Sequence, residues 1–300
     1  FKQKTAYEIM PSLVGSEMCI RDSYARVPLN AKKYWKPEFM EFWSNIQLYR
    51  SKIRPILNDS AINNMVKKIL EYSPDIVGFT LNYSPHLIVE IAAEIKSLNR
   101  RIFIVVGGNY AEPNLFGKHL ISSNKVDCLV LGEGEHTLLE IVERIKNSLN
   151  ISDIYGTVIV DGTRAVVNPR RKRITNIDDL PFPDYSHFNL SDYKKNTDET
   201  SFKLPVLFSR GCPFHCDFCV QTVIWGKPFV MRSPENMVQE IESHIKNYDV
   251  QQFQFNDLLI NGDLNKLERF CEIIISRRLN VEWFGDATIR SDMSQEYFIK

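Results

Sequence analysis

Short apolar runs alternate with helical stripes along most of the chain, and this rhythm restricts the fold more than any other feature of the sequence. Ile76–Leu81, Ile102–Val106 and Val126–Leu131 are apolar runs of strand length. Around them, Ile62, Met65, Val66, Ile69 and Leu70 recur at helical spacing. So do Leu87, Ile88, Ile91, Ile95 and Leu98, and then Leu138, Leu139, Ile141, Val142, Ile145 and Leu149. Continuous apolar strands alternating with amphipathic helices predict an α/β fold, a Rossmann-like (flavodoxin-like) parallel sheet covered on both faces. Ser84-Pro85 offers an N-cap and a first-turn proline to the second helix. In open sheets of this kind ligands bind beyond the carboxyl ends of the strands. Thr80, Gly107-Gly108 and Gly132-Glu133-Gly134-Glu135 fall there. Glycine at a strand end also serves any turn that needs positive φ. No Gly-x-Gly-x-x-Gly opens a helix, so a nicotinamide site is not supported.

The rhythm restarts after residue 200. Leu204–Phe208, Gln252–Phe255 and Val281–Phe284 read as strands. Ser233-Pro234 and Asp263 read as starts of helices carrying Val238, Ile241 and Ile245, then Leu264, Leu267, Phe270, Cys271 and Ile274. Polar loops at each strand end suit a (β/α) barrel with its site at the carboxyl face. A closed barrel takes roughly 250 residues, and residues 201–300 are all that is left for it. The expectation is an incomplete barrel, truncated at the carboxyl terminus, with an exposed edge near Val281–Phe284 that folds poorly alone.

The connecting parts are less regular. Tyr155–Val160 and Ala165–Val167 flank Asp161-Gly162, a hairpin signal. The basic run Arg170–Arg173 reads as a solvated strand end, because the net charge is zero. Asp178–Asp184 and Asp192–Ser201 are linker-like. Residues 24–59 are rich in aromatics (Tyr34, Trp35, Phe39, Phe42, Trp43, Tyr49) and broken by prolines, which suits two short helices packed by those rings. Residues 1–23 show neither pattern. Their string Ser12–Ser23 resembles a translated sequencing adapter rather than native protein, the alternative being an ordinary surface segment; on the first reading Cys19 carries no meaning. The expected organisation is thus 1–23 set apart, 24–150 a first α/β domain, 151–200 hairpin and linker, and 201–300 the front of a barrel.

Chemistry concentrates in one loop. Cys212, Cys216 and Cys219, three of the six cysteines, are spaced Cys-x-x-x-Cys-x-x-Cys. Three thiolates can hold one metal centre but leave one corner open, and an open corner suits reaction rather than structure. Clustered cysteines in a chain with no visible secretory signal point to metal or catalysis in a reducing, cytoplasmic setting. Lys+Arg and Asp+Glu balance at 37 each, which gives no support for a nucleic-acid or membrane-surface partner. No apolar run approaches the roughly 18–20 residues of a membrane span. Cys128 and Cys271 lie in apolar contexts and read as buried packing residues. His215 reads as solvent-facing; as a fourth ligand it would make a non-catalytic zinc module, although zinc ribbons use paired Cys-x-x-Cys knuckles.

Cys212-x-x-x-Cys216-x-Phe218-Cys219 after a strand resembles the signature of the radical S-adenosylmethionine superfamily. Val77-Gly78-Phe79-Thr80, Val106-Gly107-Gly108, Leu131-Gly132-Glu133-Gly134-Glu135, Asp178-Asp179-Leu180-Pro181-Phe182-Pro183, Ser209-Arg210-Gly211-Cys212-Pro213 and Arg232-Ser233-Pro234-Glu235-Asn236 resemble, in that order, the subfamily with an N-terminal cobalamin-binding domain. The resemblance covers about residues 60–300. It implies that the three cysteines bind a 4Fe–4S cluster whose fourth iron is chelated by S-adenosylmethionine, with Phe218 beside that cofactor. Reductive cleavage would give a 5′-deoxyadenosyl radical, and methylcobalamin would supply a methyl group to an unactivated carbon or phosphorus. Gly107 and Gly108 are implied to lie near the cobalamin tail, with Thr80, Gly132 and Glu133 as further cobalamin candidates. An electron donor such as flavodoxin or ferredoxin and a small-molecule or peptide substrate are implied as partners. Ring formation or rearrangement is the alternative reaction. The chain departs from the pattern in two places. No histidine stands in an Asp-x-His-x-x-Gly context. Asn256-Asp257 stands where many relatives have two carboxylates, so Asp257 is a site candidate or equally a strand-end cap. Further S-adenosylmethionine-binding elements are expected beyond Lys300.

Overall fold

The computed structural model describes residues 40–55, 57, 59–81, 84–161, 164–191, 202–217, 219–226 and 228–293. The readings of residues 1–23, of Tyr34, Trp35 and Phe39, of Phe218 and of the stretch 192–201 lie outside these residues. The chain divides into two compact units between Arg173 and Ile174.

The first unit is built on a five-stranded sheet in the order β1-β2-β3-β4-β5. Strands β1 (Ile76–Thr80), β2 (Phe103–Gly107) and β3 (Cys128–Val130) are parallel neighbours. Helices α1 (Asp59–Glu71), α2 (Pro85–Leu98) and α3 (Glu135–Lys146) alternate with them. The register pairs Thr80 with Gly107 and Val106 with Leu129, so the carboxyl ends of the three strands share one edge of the sheet. Ile104, Val106, Leu129 and Ile95 are fully buried in the core, joined by Tyr49 and Ile53 from the short helical turn Tyr49–Ile53. Each such side chain contributes about 1.5–3 kcal/mol, whereas an exposed ion pair contributes under about 1 kcal/mol. The apolar pattern therefore sets the register.

Some local expectations change. Ser84 stands at the N-cap of α2, but its side chain makes no capping bond; Pro85 alone marks the start. Leu98, at the last turn of α2, is exposed, and Leu149 lies beyond the end of α3 and is exposed too. The hairpin of β4 (Thr157–Asp161) and β5 (Arg164–Val167) continues the sheet, with β4 antiparallel to β3. Val158, paired with Leu129, is buried, while β5 is exposed along its length. The basic run after it is only partly solvated, with Arg170 and Lys172 exposed. Arg171 and Arg173 are half-buried and, like Arg170, pair with carboxylates, because buried charge on this surface needs partners.

The second unit holds a three-stranded parallel sheet in the order β10-β9-β6. It comprises β6 (Leu204–Val206), β9 (Gln252–Phe255) and β10 (Glu282–Phe284). A short antiparallel ribbon, β7 (Ser209–Arg210) with β8 (Val230–Met231), follows β6. The helix Val220–Trp225 lies between β7 and β8, and α4 (Pro234–Tyr248) and α5 (Leu264–Ser276) connect β8 to β9 and β9 to β10. Ser233 Oγ accepts from the Asn236 N–H, and Asp263 accepts from the Lys266 N–H, so both expected caps form. Phe208, Phe255, Phe270 and Trp283 pack as one aromatic cluster, with the Phe255 and Phe270 rings edge-on at 5.7 Å. Among the described residues β10 is an edge of this sheet, and the Lys203 ammonium sits 3.5 Å from the centre of the half-exposed Phe284 ring there.

The stretch Asp178–Asp184 is packed rather than loose. Ile177, Leu180 and Tyr185 are buried, the Tyr185 hydroxyl donates to the Pro205 carbonyl at 2.9 Å, and Asp178 accepts from the Ser233 N–H at 3.0 Å. Buried Arg232 bonds Glu240 and Asn236 on α4. Burial alone would raise the Glu240 carboxyl, but the His244 bond and the Arg232 charge outweigh it and hold it below the usual range.

Gly108 turns the chain off β2 with φ +97°, and a side-chain Cβ there would lie 2.8 Å from the Leu81 carbonyl oxygen. Gly108→Ala should lower stability by about 1–3 kcal/mol. Urea unfolding followed by circular dichroism checks this, and an unchanged midpoint would contradict it.

Candidate functional site

The cysteine loop leaves a rigid base. β6 ends at Val206, Phe208 is fully buried, and the β7–β8 ribbon clamps Ser209 and Arg210. Gly211 then takes φ +83°, a conformation that lets the chain turn away sharply before Cys212. Cys212 and Cys219 are half-buried, Cys216 is exposed, and none forms a disulfide. The Cys219 N–H donates to the Cys216 carbonyl at 3.0 Å, closing a turn inside the motif. Among the described residues no three His, Cys, Asp or Glu side chains are gathered closely enough to hold a metal ion. The donor set itself fits an iron–sulfur cluster: three thiols, on one loop, springing from a fixed base. His215 and Phe214 are exposed.

Asp257 supplies that base. It is 3% exposed and lies two residues past the end of β9. Because Val206 is paired with Phe255, this position faces the backbone two residues past the end of β6. The carboxylate accepts from the Phe208 N–H at 3.0 Å, and from both the N–H and the hydroxyl of Ser209. Burial raises its pKa to about 6, and the three donors, each favouring the ionised form, limit the rise. Asp257 thus caps the loop base rather than facing outward as a ligand.

The other sequence candidates collect at the carboxyl edge of the first sheet. Thr80, Gly107 and Gly108 are half-buried and adjacent, with the Leu81 N–H donating to the Gly107 carbonyl at 2.7 Å. Gly132 takes φ +74° with nothing within 4 Å of a would-be Cβ, so its turn is open. The Glu133 carboxylate is 3.7 Å from the Arg173 guanidinium. His86, buried on α2, bonds His119 at 3.0 Å and the Ser44 carbonyl at 2.9 Å. Burial pushes the Cys128 thiol up to about 12, as suits a packing residue, while Cys271 is only half-buried. The sequence reading missed the roles of Ser209 and Glu112, and no local pattern marks them, since their partners lie 48 and 58 residues away.

Comparisons with known proteins bear on the fold and the family. A family model described as "B12 binding domain" matches residues 49–142. The uncharacterized methyltransferase PH0819 of Pyrococcus horikoshii is 29% identical over 247 residues, 79% of this chain and 51% of that protein. The anaerobic magnesium-protoporphyrin IX monomethyl ester cyclase of Rubrivivax gelatinosus is 30% identical over 235 residues, 75% of this chain and 41% of that protein. The solved structure of the radical S-adenosylmethionine methyltransferase TsrM from Kitasatospora setae, with cobalamin and a 4Fe-4S cluster bound, superposes with a TM-score of 0.57 at 18% identity. That match covers 80% of this chain and 48% of TsrM. The chain therefore spans about half, or less, of the length of these relatives. Residues 49–142 thus match the B12-binding family, and over most of its length the chain is similar in sequence to PH0819 and in fold to TsrM.

Asp257 makes a pH prediction. Its folded pKa of about 6 lies above the ordinary aspartate value of 3.8, so folding favours the neutral form. Its contribution is full below about pH 4 and is lost as pH rises through about 6. Relative to Asp257→Asn, the native chain should lose about 3 kcal/mol of stability over that window. Paired urea titrations at several pH values check this. A difference that stays constant, or grows with pH, would contradict it.

Proposed function

We propose that this chain comprises the cobalamin-binding domain and the cluster-binding front of a radical S-adenosylmethionine methyltransferase. One observation carries the reading most: three reduced thiols spring from an Asp257-capped turn at the carboxyl end of the first strand of a parallel sheet. Cys212, Cys216 and Cys219 would hold a 4Fe–4S cluster, with Phe218 beside S-adenosylmethionine. Thr80, Gly107, Gly108, Gly132 and Glu133 would line the cobalamin edge. When bound, the cluster would supply the electron that splits S-adenosylmethionine into methionine and a 5′-deoxyadenosyl radical, and methylcobalamin would supply the methyl group.

The chain's own residues bind and hold. Asp257 fixes the backbone of Phe208 and Ser209, so the loop can change shape around a cluster without moving its root. Gly108 keeps the β2 turn against Leu81, where a side chain would collide with the Leu81 backbone. Exposure of Cys216 gives iron a route in. Reduced thiols need a reducing compartment, which fits a cytoplasmic location, and no described helix is long and apolar enough to cross a membrane. A small electron-transfer protein such as flavodoxin or ferredoxin would reduce the site, and the acceptor would be a small molecule or peptide.

Support for methyl transfer comes from the names of PH0819 and TsrM. The cyclase relative favours a second reading, ring formation on the same scaffold. Incubating the intact protein with methyl-labelled S-adenosylmethionine separates them. Label in the product is expected; an unlabelled cyclised product would favour the second reading. One equivalent of zinc, without iron or sulfide after anaerobic purification, would sink both.

A further inference from the structure

We propose that residues 168–173 form an arginine strap that sets the loops after β2 and β3 for their ligand, making Arg170 and Arg173 positioning residues for that edge. The proposal rests on the reading of the edge as the cobalamin site.

The strap is rooted first. The Asn168 N–H donates to the Thr157 carbonyl at 3.0 Å, and its amide donates to the Ser152 carbonyl at 2.8 Å and the Thr157 hydroxyl at 3.0 Å. The Pro169 carbonyl accepts from the Gly156 N–H at 2.8 Å. Beyond that root each arginine reaches a different element. Arg170 forks onto both carboxylate oxygens of Glu112, in the loop after β2 that begins with Gly108. Arg171 donates to the Thr137 hydroxyl at 3.0 Å and bonds Glu140, both on α3. Arg173 lies against Glu133, in the loop after β3. Lys172, between the two inward arginines, is exposed, the alternation of an extended segment.

The burial of the carboxylates makes this more than a decorated surface. The Glu112 side chain is 11% exposed and that of Glu133 7% exposed. A buried carboxylate stripped of a cation is destabilised, so the strap contributes to holding these two loops in shape. A solvated basic run would have no reason to meet carboxylates from three separate elements. Glu112 also anchors its own loop, its carbonyl accepting from the Leu115 and Gly117 N–H groups, each at 2.9 Å. Arg170 therefore braces a loop that is already folded on itself, at the exit from Gly108.

Hydroxocobalamin is the probe, used on the full chain. Equilibrium dialysis should show that Arg170→Gln with Arg173→Gln raises its Kd about tenfold, within the usual range of coupling between sites. Arg173→Lys alone, which keeps the charge, should stay within about threefold of the native Kd. In the unaltered chain, trypsin cuts after Arg170, Arg171, Lys172 and Arg173 should slow several-fold when hydroxocobalamin is saturating, because a ligand that fixes the loops also fixes the strap. This second measurement decides if the double variant does not fold. No saturable binding by the unaltered chain would overturn the cobalamin reading itself. Binding with the same Kd in native and double variant, or strap cleavage indifferent to bound hydroxocobalamin, would overturn the strap while leaving that reading intact.

Discussion

The buried carboxyl group of Asp257 is the contact on which the second unit's chemistry depends. Parallel pairing of β6 with β9 brings the residues just past both strand ends face to face. Two backbone N–H groups, at Phe208 and Ser209, leave the ladder there and would otherwise be buried without acceptors. Asp257 satisfies both and takes the Ser209 hydroxyl as well. From the other side the Arg232 N–H donates to the Phe208 carbonyl at 2.9 Å, and the Arg232 side chain is locked to Glu240 on α4. The turn is held on two sides before Gly211 releases the chain into the cysteine motif.

Both units use the same rule in opposite ways. In each, parallel strands deliver their carboxyl ends to one edge, where loops are free to carry ligands. In the first unit Gly108 turns tightly against Leu81 at this edge, and arginine–carboxylate pairs brace the loops beyond it. In the second it is a single polar loop whose root is buried and whose thiols stand partly in solvent.

Much of the fold was legible because its signals are local. Apolar runs marked β1, β2 and β3 to within a residue or two, and Ser233 and Asp263 were readable as caps because their partners are three residues away. Ser84 carried the same signal without the bond. The three cysteines were legible as a set by spacing alone. What the sequence concealed is nonlocal. Nothing near Asp257 reveals Ser209, and nothing near Arg170 reveals Glu112. Zero net charge suggested a solvated run, and Arg170 and Lys172 are exposed, but it could not show that three arginines would each find a carboxylate from a different element. The hairpin signal at Asp161-Gly162 likewise could not say that β4 would join β3 and extend the sheet.

The central claim is that three thiols on a fixed root leave one metal corner for a substrate-like ligand. Mössbauer spectroscopy of the chain reconstituted anaerobically with 57Fe and sulfide tests it most directly. The account predicts a 4Fe–4S spectrum in which one iron of four changes its parameters when S-adenosylmethionine is added. A cluster whose four irons all stay unchanged would contradict it.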